Sequence, residues 1–332
     1  MEIKAPYLLF IGDAKDTLSI KIANSIVDWR PELAIGENTL EGCTVSSSKP
    51  KMSIIEAVDK GAKTFVLGFA NSGGTIDEAW LPSILQAIEL GMDIASGLHQ
   101  RLDSFESIVN HAKKYKVNLI DVRHPTGTFK TGTGVKRSGK RLLAVGTDCS
   151  AGKMYTTLSI EKEMRARKMD VQFKATGQCG IFIAGDGIAI DCVVADFIAG
   201  AVEQLSPAND PEHWDIIEGQ GSLFHPAFAG VTMGLIHGAQ ADALVLCHVE
   251  GREHMRAIPG RPLPALAETL ALNLQAAKVT NPDARFVGIA VNTSALTDEE
   301  ALQRCQRYEA EFNIPCVDPL RHGVARIVDG LV

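Results

Sequence analysis

A short turn containing glycine and lysine, near the middle of the chain, constrains the fold more than any other feature. It follows the apolar run LLAV and reads GTDCSAGKMYTT over residues 146–157. The apolar run predicts a buried strand, and the residues after Lys153 continue with helical periodicity. Because backbone N–H groups at the start of such a helix converge on one point, the turn predicts an anion-binding loop in a parallel α/β sheet.

Short apolar runs alternate with amphipathic segments along the whole chain, which favours parallel sheets covered by helices. The first 125 residues hold four such runs and the part after residue 140 holds six, with a helix predicted over residues 189–206. The stretch between them, PTGTFKTGTGVKRSGKR, is typical of a linker. We predict an α/β fold with a Rossmann-like parallel-sheet domain at residues 1–125, a linker at 126–140 and a P-loop NTPase-like domain at 141–332.

The amino-acid composition limits which cellular compartment and which binding partners we expect for this protein. The formal net charge of −7 argues against nonspecific nucleic-acid binding, which needs a basic face. The seven cysteines are scattered without a CxxC pair, which favours a reducing compartment over a disulfide framework. No apolar run approaches the roughly 18 residues that a membrane helix needs. We expect a cytoplasmic protein without nucleic-acid or membrane partners.

The loop departs from a standard phosphate-binding loop at two points. Five residues separate its glycines where the standard pattern has four, and Met154 replaces the Ser or Thr that normally ligates Mg²⁺. The longer form resembles the loop of dethiobiotin synthetase and its cobyric-acid amidotransferase relatives. A thioether is a poor Mg²⁺ ligand, so we predict phosphate binding without a metal, with an empty glycine-rich turn as the alternative. The predicted cofactor-binding residues are Gly146, Thr147, Asp148, Cys149, Ser150, Ala151, Gly152, Lys153, Met154 and Tyr155.

A second glycine turn, IIEGQGSLFHP, follows a predicted strand and contains Glu218. It resembles the Glu-Gly-Ala-Gly turn of the same synthetase group, in which the acid lies beside the phosphate loop. Glu218 is a candidate metal ligand, general base or partner for a substrate ammonium, and an ion pair with Lys153 is the structural alternative. Histidine suits proton acceptance near neutral pH, although His225 also fits a structural role. We predict Glu218 and His225 as the catalytic residues.

Other polar residues follow the neighbouring strands, where ligands bind in doubly wound sheets. The predicted substrate-binding residues are Lys174, Thr176, Gly177, Gly219, Gln220 and Gly221. His248 ends another predicted strand and is expected at the same edge of the sheet. Cys179 has no adjacent activating base, so we expect it to be a packing residue.

Several stretches together resemble the D-glutamate N-acetyltransferase family, formerly a domain of unknown function: the loop GTDCSAGKM, the turn IIEGQGSLFHPA and the strand GAQADALVLCH. The resemblance implies a homodimer that transfers acetyl from acetyl-CoA to the amino group of D-glutamate or a related D-amino acid, in D-amino-acid catabolism. The loop would then anchor CoA phosphates without hydrolysis. Transfer needs a base, oxyanion donors and cations for the substrate. The candidates are Glu218 or His225, the backbone amides of residues 219–221, and the Lys and Arg residues of the linker.

Three other functions remain alternatives. An ATP-dependent ligase or kinase of the dethiobiotin-synthetase type would use the same loop and acid, and Met154 argues against it. A non-catalytic nucleotide sensor would bind its ligand without turnover. A dehydrogenase is disfavoured because Gly12-Asp13-Ala14 lacks the GxGxxG spacing of dinucleotide-binding domains.

Overall fold

The chain divides into two compact units, each built on a β-sheet. The computed structural model describes residues 3–71, 73–125 and 127–331. One unit comprises residues 1–126 and 177–192, and the other comprises residues 127–176 and 193–332. Every strand pairing of both sheets is parallel within the described ranges. The predicted α/β class is therefore confirmed.

The first unit has a five-stranded sheet of order β2-β1-β3-β4-β5. Its strands are β1 (Tyr7–Gly12), β2 (Ala34–Thr39), β3 (Thr64–Leu67), β4 (Asp93–Ser96) and β5 (Leu119–Asp121). Its first helices are α1 (Lys21–Trp29), α2 (Ile54–Asp59), α3 (Leu81–Glu89) and α4 (Glu106–Tyr115). Aromatic packing fills the core, where the Phe10 ring stacks on Phe65 at a centroid distance of 5.1 Å.

The second unit has a six-stranded sheet of order β11-β10-β9-β6-β8-β7. Its strands are β6 (Lys140–Gly146), β7 (Val171–Lys174), β8 (Trp214–Ile217), β9 (Ala243–Val249), β10 (Arg285–Asn292) and β11 (Cys316–Val317). The remaining helices, in chain order, are α5 (Lys153–Ala166), α6 (Gln178–Ala184), α7 (Ile198–Leu205), α8 (Ala229–Ala239), α9 (Leu266–Lys278), α10 (Asp298–Phe312) and α11 (Ala325–Asp329). None of the helices within the described ranges is long and apolar enough to cross a membrane.

The segment that carries α6 belongs to the first unit, although it lies between two strands of the second. The single helix predicted over residues 189–206 is wrong: residues 190–192 and 195–197 form 3₁₀ turns, and only α7 is α-helical. The β-branched pair Val193-Val194 disfavours a helix, and Val194 has a non-helical ψ of 136°. The predicted domain bounds stay a prediction, and the linker's first residue, Thr126, lies outside the described residues.

Strand order fixes where a ligand can bind in the second unit. β6 pairs with β8 on one side and with β9 on the other, so the direction of winding reverses at β6. Ligands of open α/β sheets bind beyond the carboxyl ends of the strands at such a reversal. The loop after β6, which contains Lys153, lies at this point.

Arg141 anchors the start of β6. Its side chain is almost fully buried, and burial lowers the pKa of its guanidinium from the ordinary arginine value, while the charge of Asp215 acts in the opposite direction. It donates hydrogen bonds of 2.8–3.1 Å to the Ser206 hydroxyl and to the backbone carbonyls of Arg137, Ser138, Gly139 and Pro207. These contacts tie the linker to the strand that leads into the loop.

Replacing Arg141 with Met should therefore destabilise the fold. The substitution keeps an apolar stem but leaves buried acceptors without their donor, so we expect the free energy of unfolding to fall by about 3–5 kcal/mol. Urea unfolding followed by circular dichroism measures the change. Arg307→Met, at an exposed position of α10, is the matched control and should change little. Equal stability of both variants would contradict the anchoring role.

Candidate active site

The loop after β6 has the geometry that its sequence predicts. β6 ends at Gly146 and α5 begins at Lys153, so the six residues between them lead directly into a helix N-terminus. Gly152 precedes the helix with a φ of 90°, and Ser150 has a φ of 49°. Glycine adopts the left-handed region without steric cost. The turn therefore exposes the first N–H groups of α5 to a single point, as an anion site requires.

The Lys153 ammonium is buried inside this loop. Its Nζ donates a 2.8 Å hydrogen bond to the backbone carbonyl of Asp148. Burial lowers the pKa of Lys153, and the nearby Cys247, Cys149, Asp148 and Glu218 act in the opposite direction. A Cβ on Gly146 would lie 3.1 Å from Nζ, so glycine makes room for the amine. A buried ammonium at the N-terminus of a helix is well suited to an anionic ligand.

Asp148 fixes the outer wall of the loop. Its fully buried carboxylate accepts hydrogen bonds from the backbone N–H groups of Cys149 at 2.7 Å and Arg256 at 2.8 Å, and from the Arg252 guanidinium at 3.0 Å. Arg252 also donates to the carbonyls of Cys149 and Ser150. The segment after β9 is thereby clamped onto the phosphate loop, and it brings an arginine beside it.

The second glycine turn lies next to the loop. Glu218 is buried, and its Oε2 accepts a 2.9 Å hydrogen bond from the backbone N–H of Thr176. The Thr176 hydroxyl donates to the Glu218 carbonyl at 2.7 Å and accepts from the Gln220 amide at 3.1 Å. Ser222 donates to the carbonyl of Thr147 in the loop. The structure thus brings together Glu218, Thr176 and Gln220, three of the residues predicted for the site.

His225 is held at both ring nitrogens. Nδ1 accepts a hydrogen bond from the backbone N–H of Ala227 at 3.3 Å, and Nε2 lies 3.1 Å from the carbonyl oxygen of Arg256. Since a carbonyl can only accept, Nε2 is the donor in this contact. The ring also stacks on Phe228 at a centroid distance of 4.5 Å. His225 thus supports the backbone of Arg256, which in turn contacts Asp148.

His248 also reaches the loop, at the sheet edge where it was expected. Its Nδ1 lies 3.1 Å from the Thr147 hydroxyl, and burial lowers the pKa of its imidazole. A neutral imidazole beside Thr147 adds no charge to the site and can accept a hydrogen bond from the Thr147 hydroxyl.

Two groups of cations are engaged away from the loop. Lys174 contacts the Gln172 amide at 2.7 Å and Asp215 at 3.5 Å. The linker cations Lys136 and Arg137 bind Gln240 and neighbouring groups just before β9, at the amino-terminal edge of the sheet. The expectation that linker cations contact a bound anion is therefore wrong for these two residues, because the loop lies at the opposite edge. Gly177 is the N-cap residue of α6, in the first unit.

Asp148, Cys149 and His225 form a group with the donor atoms of a metal site. One potential ligand atom from each lies within 4.8 Å of the others. The group fits a metal poorly, because the Asp148 carboxylate already accepts three N–H donors and faces the positive Arg252. Burial raises the pKa of the Cys149 thiol, which opposes the thiolate form that a metal would need.

The contacts of Arg252 and of the Arg256 backbone with Asp148 were not predicted from the sequence. A signal was available, because both follow the strand β9 and the ends of strands next to β6 converge on the loop. Their segment, HVEGREHMRAIPGRP, carries three arginines within residues 248–262. Nothing in the local pattern indicates which of them turns back onto Asp148.

The fold and the loop define a two-unit α/β protein whose second unit has a glycine-rich loop between β6 and α5. A Rossmann-like domain model of the DUF1611 family matches residues 38–125, and its P-loop domain model matches residues 128–328. A D-glutamate N-acetyltransferase of Pseudoalteromonas sp. is 59% identical over 100% of both chains, and one of Tritonibacter scottomollicae is 50% identical over 99% of both. The chain belongs to this D-glutamate N-acetyltransferase family, and the predicted resemblance is confirmed.

A solved structure supports the fold over the whole chain. A DUF1611 family protein from Anabaena variabilis is 28% identical, with a TM-score of 0.86 and coverage of 99% of both chains. The pairing of a Rossmann-like unit with a P-loop unit is therefore shared with that protein.

Gly219 has to be glycine for the loop to keep this geometry. A Cβ there would lie 1.7 Å from the Ala144 carbonyl oxygen and 2.9 Å from Cδ of Lys153. Gly219→Ala should lower the free energy of unfolding by about 1–3 kcal/mol, as overpacked cores do. Gly230→Ala, in α8 with nothing within 4 Å of the added Cβ, is the control and should leave stability unchanged or slightly higher. Thermal unfolding compares them, and equal melting temperatures would contradict the close approach.

Proposed function

We propose that this chain transfers the acetyl group of acetyl-CoA to the amino group of D-glutamate. Full-length identity of 59% and 50% to two D-glutamate N-acetyltransferases carries the proposal. The site supports it, because a phosphate loop with a buried Lys153 suits the diphosphate or 3′-phosphate of CoA. Met154 lacks the hydroxyl that holds Mg²⁺ in phosphoryl-transfer enzymes. Acyl transfer from a thioester does not need that metal.

The second unit contains a candidate for the base, for the oxyanion donors and for the substrate contacts that the reaction needs. Glu218 is the proposed base for the substrate ammonium, since its carboxylate lies at the carboxyl edge of β8 beside the loop. His225 is proposed as a positioning residue, because both of its ring nitrogens are engaged with the backbone. The backbone amides of residues 219–221 are proposed donors to the thioester oxyanion. Thr176 and Gln220 are proposed to contact the substrate.

The protein is also proposed to be a cytoplasmic homodimer that acts in D-amino-acid catabolism. The family resemblance supports these points. Light scattering after size-exclusion chromatography tests the dimer, and a monomeric mass at assay concentration would contradict it.

The activity itself gives the first test. Purified protein with acetyl-CoA should release free thiol when D-glutamate is added, and mass spectrometry should identify N-acetyl-D-glutamate. L-Glutamate and D-alanine serve as acceptor controls and should react more slowly. Absence of thiol release with every amino acid, or ATP consumption in its place, would contradict the proposal and favour the ligase or kinase alternative.

Two matched variants distinguish the role of Glu218 from that of His225. Glu218→Gln keeps the shape and removes the base, so kcat should fall by about 10²–10⁴-fold. His225→Gln should lower kcat less and weaken acetyl-CoA binding, because the Arg256 segment loses its support. Glu311→Gln, at an exposed position of α10, is the control for the charge change. Full turnover by the Glu218 variant would exclude this base assignment.

Lys153 predicts a pH dependence of acetyl-CoA binding. Burial holds its pKa below the ordinary lysine value of 10.5, and bound phosphate favours the ammonium, so the pKa rises in the complex. Below the free-state pKa the lysine is already charged and affinity is independent of this group. Above it, binding takes up a proton and affinity falls as pH rises. Acetyl-CoA suits this measurement because it has no free thiol to titrate.

Isothermal titration calorimetry across the alkaline range measures this loss of affinity. Lys153→Met should bind more weakly and show no such pH-dependent step. A wild-type affinity that stays constant up to the ordinary pKa of lysine would contradict the assignment of Lys153 to the phosphate contact.

A further inference from the structure

A groove in the second unit lies next to the phosphate loop and has no role in the site described so far. It has a volume of about 680 Å³. The proline loop, residues 258–265, forms one side of it, and Phe224, Met255 and Glu268 complete the lining. We propose that this groove holds the pantetheine arm of acetyl-CoA while the loop around Lys153 holds the phosphates. The inference rests on the proposed acetyltransferase function and adds to it a binding site for one part of the donor.

Two residues of the groove lining directly precede residues of a hydrogen-bond chain that ends on the phosphate loop. Met255 in its wall precedes Arg256, whose backbone N–H donates to Asp148 at 2.8 Å. Phe224, also in the lining, precedes His225, whose Nε2 donates to the Arg256 carbonyl at 3.1 Å. The groove thus starts one residue away from the contacts that fix the loop. Phe224 also belongs to the second glycine turn, IIEGQGSLFHP, which carries Glu218.

The proline loop is held in a defined shape. The N–H of Met255 donates to the carbonyl of Arg261 at 2.8 Å, and the N–H of Arg261 donates to the carbonyl of Ile258 at 3.2 Å. Pro259, Pro262 and Pro264 each have a fixed φ, which lowers the entropy lost when the loop is ordered. A groove wall built in this way is preformed, as small-molecule sites usually are.

The lining matches an uncharged, partly apolar chain. Arg261 and Glu268 are its charged residues and they balance, while the rest is mainly Pro, Leu, Ile, Met, Phe and Ala. The pantetheine arm is neutral, with two methyl groups and two amides, and so fits both the apolar surface and the absence of net charge. The anionic alternatives fit less well: phosphates are drawn to Lys153 and Arg252, and the two carboxylates of glutamate would find one cation, Arg261, together with the carboxylate of Glu268.

A groove-filling substitution tests the inference. Ala265→Trp places a large ring in the groove, and Ala267→Trp makes the same change at an exposed position of α9 outside the lining. Two ligands are compared by calorimetry: acetyl-CoA, and 3′-phospho-ADP, which is the nucleotide part without the arm. Ala265→Trp should weaken acetyl-CoA binding at least about tenfold, equivalent to about 1.4 kcal/mol, and leave 3′-phospho-ADP affinity unchanged. Ala267→Trp should change neither.

The outcomes separate this inference from the proposed function. If wild-type protein acetylates D-glutamate and Ala265→Trp binds acetyl-CoA normally, the groove assignment is wrong and the function stands. A selective rise in KM for D-glutamate would assign the groove to the acceptor and overturn the inference. If wild-type protein binds no acetyl-CoA, the proposed donor itself fails. The smaller Ala265→Leu should give an intermediate loss of affinity, and matched melting temperatures exclude misfolding as the cause.

Discussion

The buried ammonium of Lys153 is the interaction on which the candidate site depends. It sits at the end of β6 against the Asp148 carbonyl, where burial opposes its positive charge. The surrounding backbone approaches closely enough that glycine is needed at Gly146 and Gly219. Asp148 then uses its side chain to hold Arg252 and the backbone after β9. The candidate phosphate site is thus formed by the segments that follow the neighbouring strands β6, β8 and β9.

Much of this arrangement follows from sequence alone. The alternation of apolar runs and amphipathic helices predicts both parallel sheets, because each strand must be buried on two faces. The order strand, glycine, lysine and helix predicts the loop, because only a helix N-terminus supplies the converging N–H groups. Glu218 is predictable from the strand that precedes it. Each of these signals lies within one short stretch of the chain, so it can be recognised without knowledge of the tertiary contacts.

The remaining features depend on contacts that no local pattern encodes. β2 was not predicted, because its sequence AIGENT holds Gly, Glu and Asn, which strands disfavour. Glu37 is nevertheless fully buried there, since Ser46 and Ser47 donate to its carboxylate. The return of Arg252 to Asp148, 104 residues apart in sequence, is equally nonlocal. The role of His225 changes for the same reason: a loop histidine suggests a base, and only the structure reveals both nitrogens engaged.

We propose that the loop holds the phosphates of a CoA thioester without a metal, since Met154 replaces the Mg²⁺ ligand. The most direct measurement is the dissociation constant for acetyl-CoA in the presence of Mg²⁺ and in the presence of a chelator, with ATP compared under both conditions. We expect the same acetyl-CoA affinity under both conditions and much weaker ATP binding. Binding of ATP only with Mg²⁺, and no binding of acetyl-CoA, would contradict it.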